Sequence, residues 1–481
     1  MLPNSINNTA FSALLLALWP LLSQAAEPPR SFYVESGSYS TQRETDPPTY
    51  VKNVGKAEKN ALSWLDAGLE YRLRYEYRDD DLRRSDPTDT NEPLLQRIRL
   101  FAAVHDVLDP LRFAVELSDS REFNSHFASD NRDVDHLDLL QGYAELHFNS
   151  LFDSDPRGNA RPLVIRAGRM AFEALDRRLI ARNEWRNTTN AFDGVRVQLG
   201  ADDNNWALEA WSLHPVTRLL ADTDKSNLDQ RFDAVIAHIR TWSPALTLEP
   251  HYFHLQQDAS LATAFRERNI LAPGLRVYGR LFGAAVNYDI SAMKQHGSDG
   301  GQAVDAEGFT AEIGYSWAKL PWKPRLSAFY GYASGDTNPN DQVSERFDRF
   351  FGFARPWSAD DYFIYENIHA PKLRLEFQPL NGVRVDVGYN WYRLASDTDR
   401  ASNLLAGSSF NRDRTGRSGA ELGENWDLRV RFPVVPHVQA NLGYSSFHHG
   451  DFTRARQLAA SGDTANDSDF FYVELTWRLF E

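Results

Sequence analysis

Leu69-Glu70-Tyr71-Arg72-Leu73-Arg74-Tyr75-Glu76-Tyr77-Arg78 is the stretch on which the reading of this chain turns. Successive side chains of an extended segment point to opposite faces. Leu69, Tyr71, Leu73, Tyr75 and Tyr77 therefore share one face, and Glu70, Arg72, Arg74, Glu76 and Arg78 share the other. Apolar rings on one side and paired charges on the other describe a strand with lipid outside and water inside.

Working outward from this stretch, about eighteen such alternating segments parse between Trp64 and the C-terminus. They are predicted near 64–78, 95–104, 111–118, 139–148, 162–169, 192–199, 206–213, 231–241, 245–255, 274–280, 282–291, 308–317, 324–333, 369–378, 383–392, 424–432, 437–446 and 470–480. Their connections alternate. Short ones such as 105–110, 242–244 and 379–382 suit periplasmic turns, and long ones such as 79–94, 119–138, 334–368 and 393–423 suit extracellular loops, with 149–161 as the exception. The expected fold is all-β, a transmembrane antiparallel up-and-down barrel spanning 64–481. Aromatic residues on the apolar faces gather at two levels. Tyr75, Tyr77, Tyr330, Tyr332, Tyr389, Trp391 and Tyr444 lie near outer ends, while Trp206, Trp317 and Trp477 lie near inner ends, as two interfacial girdles require.

Composition agrees with a barrel. A chain of 481 residues with 42% apolar residues shows no βαβ rhythm. A mean hydropathy of -0.51 is compatible with membrane residence because only every second strand residue must be apolar. Residues 1–25 read as a secretory signal peptide, with an apolar run from Phe11 to Leu22 ahead of Ala25-Ala26, although Met1 to Thr9 holds no Lys or Arg. Residues 26–63 read as a polar periplasmic segment that is extended or enters the barrel mouth. The expected location is the bacterial outer membrane. Zero cysteines exclude thiolate chemistry and Cys-ligated metals, and a net charge of -14 argues against nucleic acid.

The polar faces carry the functional signal. Assigned to the interior, they place Arg72, Arg74, Arg97, Arg99, Arg112, Arg166, Arg196, Arg276, Arg325, Lys372, Arg374, Arg384, Arg429, Arg431 and Arg478 there, with fewer carboxylates, among them Glu70, Glu116, Asp386, Asp427 and Glu474. Guanidinium stays charged and offers a planar donor fork that matches a carboxylate. The strongest stretch is expected where the last five strands close onto the first two, centred on Arg374, Arg429, Arg74 and Arg99. The competing interpretation is an Arg–Glu ladder that stiffens the wall, with Arg374–Glu376 and Arg384–Asp386 as examples.

Three function classes follow. The leading one is a passive channel for anionic polysaccharide or related acidic saccharides, with a general or small-carboxylate anion porin as its variant. The others are an outer-membrane enzyme and a plugged structural barrel. No GxSxG, HExxH or P-loop occurs, so neither catalysis nor a cofactor is expected. Expected partners are the saccharide, outer-membrane lipid and periplasmic secretion or uptake components. The ring-rich loop from Arg346 through Phe347, Phe350, Trp357, Tyr362 and Tyr365 either stacks sugar rings, constricts the pore or packs on itself, and His448-His449 is not expected to hold a metal.

Several of these stretches resemble the alginate export family of outer-membrane porins. They are Tyr71 to Glu76, Ile165-Arg166-Ala167-Gly168-Arg169-Met170, Trp185 to Gly194, Glu366 to Pro379, and Arg414-Thr415-Gly416-Arg417-Ser418-Gly419. The resemblance implies an eighteen-stranded barrel with an electropositive constriction that passes an anionic exopolysaccharide. It also adds Arg169 to the candidate pore residues, because Gly168-Arg169 is similar to the family's Gly-Arg-Gln step, with Met170 in place of Gln. Pro433-Val434-Val435-Pro436 departs from the family, since a four-residue turn stands where the alginate exporter is expected to carry a long periplasmic plug.

Overall fold

The computed structural model describes residues 31–36, 43–55, 62–83, 90–260, 266–353, 356–402, 411–462 and 467–479. Residues 1–25, read above as a signal peptide, and the chain's last two residues lie outside them.

Every alternating segment forms a strand. The barrel strands are β1 (Leu65–Asp79), β2 (Leu94–Leu108), β3 (Leu111–Phe123), β4 (Asp135–Phe152), β5 (Arg161–Met170) and β6 (Phe192–Leu199). They continue as β7 (Trp206–Thr217), β8 (Gln230–Trp242), β9 (Leu246–Gln257), β10 (Arg268–Leu281), β11 (Val286–Asp299) and β12 (Gln302–Ser316). The last six are β13 (Arg325–Ala333), β14 (Ile368–Leu380), β15 (Val383–Arg393), β16 (Glu421–Val435), β17 (Val438–His449) and β18 (Ser468–Arg478). Each pairs antiparallel with the next, and β18 returns to β1 in the register Glu70↔Arg478 to Asp79↔Asp469. The sheet therefore closes as an 18-strand barrel, with one short helix among the described residues, α1 (Asp451–Ser461). Closure pairs the ladder groups that an open sheet edge would leave bare in hydrocarbon.

The alternation of β1 is realised residue by residue: Glu70, Arg72, Arg74, Glu76 and Arg78 are buried, whereas Tyr75 is 37% exposed. The same faces repeat around the barrel, with Leu326, Tyr330, Leu373, Leu375, Val387 and Trp391 on the exposed, lipid-facing side. The connection after β4 shortens to 153–160 because that strand runs on to Phe152. One connection breaks the expected alternation: β11 and β12 meet at Gly300-Gly301, both at positive φ, so a two-residue hairpin replaces an extracellular loop.

The interior is occupied from both ends. At the long-loop end, residues 171–191, 334–353 and 356–367 fold inward. Phe172, Leu175, Leu179 and Ile180 join Phe347, Phe350, Trp357 and Tyr362 in one apolar cluster with Trp211, Phe232 and Phe253 of the wall. At the other end the polar N-terminal segment enters the barrel mouth. Val51–Asn53 adds a short strand to the part of β1 that β18 does not reach, Tyr50 Oη donates to Glu116 at 2.6 Å, and Ser36 Oγ donates to Asp289 at 2.7 Å.

Candidate functional site

Most of the candidate arginines fall into three settings. In the first, β1 and β2 present Arg72, Arg74, Arg97 and Arg99 to the inserted loop. Arg72 donates to the carbonyls of Glu184 (2.8 Å) and Arg186 (2.9 Å), and Arg74 to that of Trp185 (2.5 Å) while lying over its ring. Arg97 pairs with Glu70 at 2.9 Å and Glu184 at 3.2 Å, and Arg99 pairs with Glu184 and donates to Thr189. Burial opposes the charge on Glu184, yet Arg99, Arg182 and Arg97 hold its carboxyl well below the usual range. Arg182 crosses to the fully buried Glu116 at 2.9 Å. The terminal guanidinium nitrogens of these side chains end on partners within the protein, and Arg74 and Arg99 are each 1% exposed. Arg182 and Glu184 had no periodic signal to mark them. An apolar run such as Met170-Ala171-Phe172, followed by Ala174-Leu175 inside a nominal loop, was the available clue.

The second setting is the face of β13 to β16. Arg374 pairs with Asp386 at 2.5 Å and Asp427 at 2.9 Å. Arg429 reaches the same Asp386 at 3.1 Å and Arg431 reaches it at 3.6 Å, so three guanidinium groups converge on one carboxylate. Register brings them together, since Asp386 sits opposite Arg429 and Arg384 opposite Arg431. A Cβ at Gly388 would meet Asp427 Oδ2 at 2.5 Å and Arg374 Nη2 at 2.7 Å, so bare backbone makes room for that pair. Arg325 pairs with Glu312 at 2.9 Å and also with Glu376. Side-chain exposures of 14%, 16% and 29% for Arg374, Arg429 and Arg431 contrast with the 1% of Arg74. Arg325, Arg384, Asp386 and Arg431 line a cavity of about 310 Å³. Lys372, one strand position outward, instead donates to the carbonyls of Pro356 and Trp357 of the inserted loop.

The third setting lies on β5 and β6. Arg166 and Arg196 clasp Asp46 of the N-terminal segment at 2.8 and 3.0 Å while also pairing with Glu145 and Glu209. Burial works against ionised Asp46, but these two arginines hold its carboxyl below the ordinary range. With Arg43, Arg112 and His238 they border a chamber of about 610 Å³. Arg169 does not belong here. It binds Asp193 at 2.9 Å on the face shared with Ala167 and the exposed Val195, opposite to Arg166 and Arg196. Three residues separate Arg169 from Arg166, and strand alternation puts them on different sides.

The ring-rich loop packs on itself and on the wall, with Trp357 stacked on Tyr365 at 4.3 Å and Phe347 at 4.7 Å from Tyr365. Phe347, Trp357, Tyr362 and Tyr365 are buried, so they present no open platform for sugar. His448 is bonded to Asp467 and His449 to Ser468. At the turn after β16, Pro436-His437 link the strands directly, with no plug inserted.

Searches among known proteins agree with this architecture. Solved outer-membrane proteins of Pseudomonas aeruginosa share the fold. OccK7 (OpdD) is 18% identical with a TM-score of 0.54 over 86% of this chain and 98% of that one. OpdK, determined with vanillate, is 12% identical with a TM-score of 0.55 over 85% and 98%. OccK11 (OpdR) is 13% identical with a TM-score of 0.53 over 85% and 95%. No curated protein matches the chain in sequence. The family model described as Alginate export matches residues 63–466, so this chain belongs to the alginate export family of outer-membrane β-barrels and is an outer-membrane channel.

Proposed function

We propose that this channel passes acidic saccharides, foremost an anionic polysaccharide of the alginate-like uronate type, along the arginine face of β14 to β16, without catalysis. The observation that carries this reading is the convergence of Arg374, Arg429 and Arg431 on Asp386 beside a cavity that Arg384 and Arg325 also line. A carboxylate arriving there meets planar donors already oriented by the protein. Sharing one internal carboxylate among several guanidinium groups lets an incoming anion exchange partners without any single contact holding it too tightly for release.

A second reading has a specific observation behind it: the apolar cluster at the loop end and Asp46 at the other favour a barrel plugged at rest. Planar-bilayer recording separates the two. The wild-type channel is expected to conduct and to favour anions, and Arg429→Gln with Arg431→Gln to lower that preference several-fold. Arg374 is kept because it holds both Asp386 and Asp427. Uronate oligomers should block the current at lower concentration than a small monocarboxylate, and the reverse order would favour a small-carboxylate porin. Cation selectivity sinks the proposal, and silence from a folded barrel assigns the interior to the plugged reading.

A further inference from the structure

Most buried carboxylates described above have an arginine in contact, but one group does not follow that pattern. Asp135 and Asp138 at the loop end of β4 and Asp224 in the connection 218–229 bring one carboxylate oxygen each within 4.8 Å of the other two. Asp138 receives the backbone N–H groups of Leu139 (2.6 Å) and Asp224, and Asp224 receives that of Leu219 at 2.8 Å, which fixes both carboxylates. Asp135 is 8% exposed, and its Oδ1 is buried with no hydrogen-bond partner. No neighbouring cation is paired with these three carboxylates among the described residues, although Arg169 donates to the backbone carbonyl of Asp224 at 3.3 Å. Arg218 donates to Asn131 O (3.0 Å), Thr189 O (3.1 Å) and Asn190 Oδ1 (2.7 Å), and Arg169 donates to Asp193. Burial, reinforced by Asp138, pushes the Asp224 carboxyl up to about 6, against the hydrogen bond from Leu219.

A buried carboxylate oxygen without a partner is costly, and three like charges at this spacing repel. A hard cation resolves both problems, because calcium accepts oxygen donors in irregular arrangements, whereas magnesium demands near-octahedral order and gives up water reluctantly. We propose that Asp135, Asp138 and Asp224 form a divalent-cation site at the extracellular rim, selective for calcium over magnesium. Occupancy would fasten the connection 218–229 to β4. Through Arg218, which grips Thr189 and Asn190, it would also fasten the far end of the loop that fills the barrel.

The test is isothermal titration of calcium chloride into chelator-stripped, detergent-solubilised full-length protein, beside terbium luminescence on the same sample. Saturable calcium binding is expected. Asp135→Asn with Asp224→Asn should weaken it at least tenfold in protein that retains the folded, heat-modifiable band. Should that variant not fold, wild-type terbium displaced by calcium, but not by equal magnesium, upholds the site, and equal displacement overturns its selectivity. No saturable binding by the wild type up to millimolar calcium, or unchanged binding by a folded double variant, overturns the site itself.

Discussion

The arginines of β1 and β2 and those of β14 to β16 arise from strands of the same design, with polar and charged residues, many of them basic, on one face. Their surroundings set them apart. On β1 and β2 the guanidinium groups end on carbonyls and on Glu184 and Thr189 of the inserted loop, beside a smaller cavity of about 150 Å³ that Arg72, Arg97 and Arg99 border. On β14 to β16, Arg374, Arg429 and Arg431 converge on one carboxylate of the middle strand, and Arg384 and Arg431 border a cavity of about 310 Å³. Arginine density along a strand is therefore a poor guide to ligand contact. What decides is whether the nearest acceptors belong to a loop that covers the side chain or to the wall itself.

The largest effect should come from breaking the covered region. Glu116→Ala takes from the buried Arg182 one of its two carboxylates and removes the acceptor of Tyr50 and Gln141, and it is expected to cost about 3–5 kcal/mol. Urea unfolding followed by heat-modifiable gel mobility measures this, and a loss below about 1 kcal/mol, the range of exposed pairs, would erase the distinction drawn here.

A pH effect comes next. Glu173 of the inserted loop accepts the N–H of Glu44 at 2.6 Å, and burial pushes its carboxyl up to about 7. The unfolded chain releases this proton near ~4.3, so between the two values the folded state binds more protons and stability falls as pH rises. Urea series at pH 5 to 8 should show a loss of up to about 3 kcal/mol, which Glu173→Gln flattens. An identical slope in the variant would remove Glu173 from the account.

The smallest effect tests the third setting. Asp46→Asn should release the N-terminal segment from Arg166 and Arg196, cost about 1–2 kcal/mol and raise single-channel conductance. Unaltered conductance in folded protein would show that this segment does not obstruct the path.

Much of this architecture was legible because lipid and water impose a strict period of two, which shorter turns and longer strands do not disturb. The eighteen segments followed from it, down to Arg72 and Arg74 facing in and Tyr75 facing out. Arg169 was misplaced by following a short motif instead of counting from Arg166. The inserted loops were not legible, because a segment that packs inside a barrel obeys no period. Trp357 and Tyr362 look alike in sequence whether they meet sugar, lipid or one another. Asp46 in Thr45-Asp46-Pro47-Pro48 gave no sign that two distant arginines would claim it.

Pairing of β1 with β18 also constrains how this molecule is made. Every other ladder between the eighteen barrel strands joins neighbours in the chain, but Glu70 must find Arg478. Until that seam forms, both outer strands carry rows of unsatisfied N–H and C=O groups that hydrocarbon will not accept and that invite pairing with other chains. Biogenesis thus has a late commitment step. The polypeptide must be escorted unclosed through the periplasm, and entry into the bilayer and sealing of the cylinder must happen together.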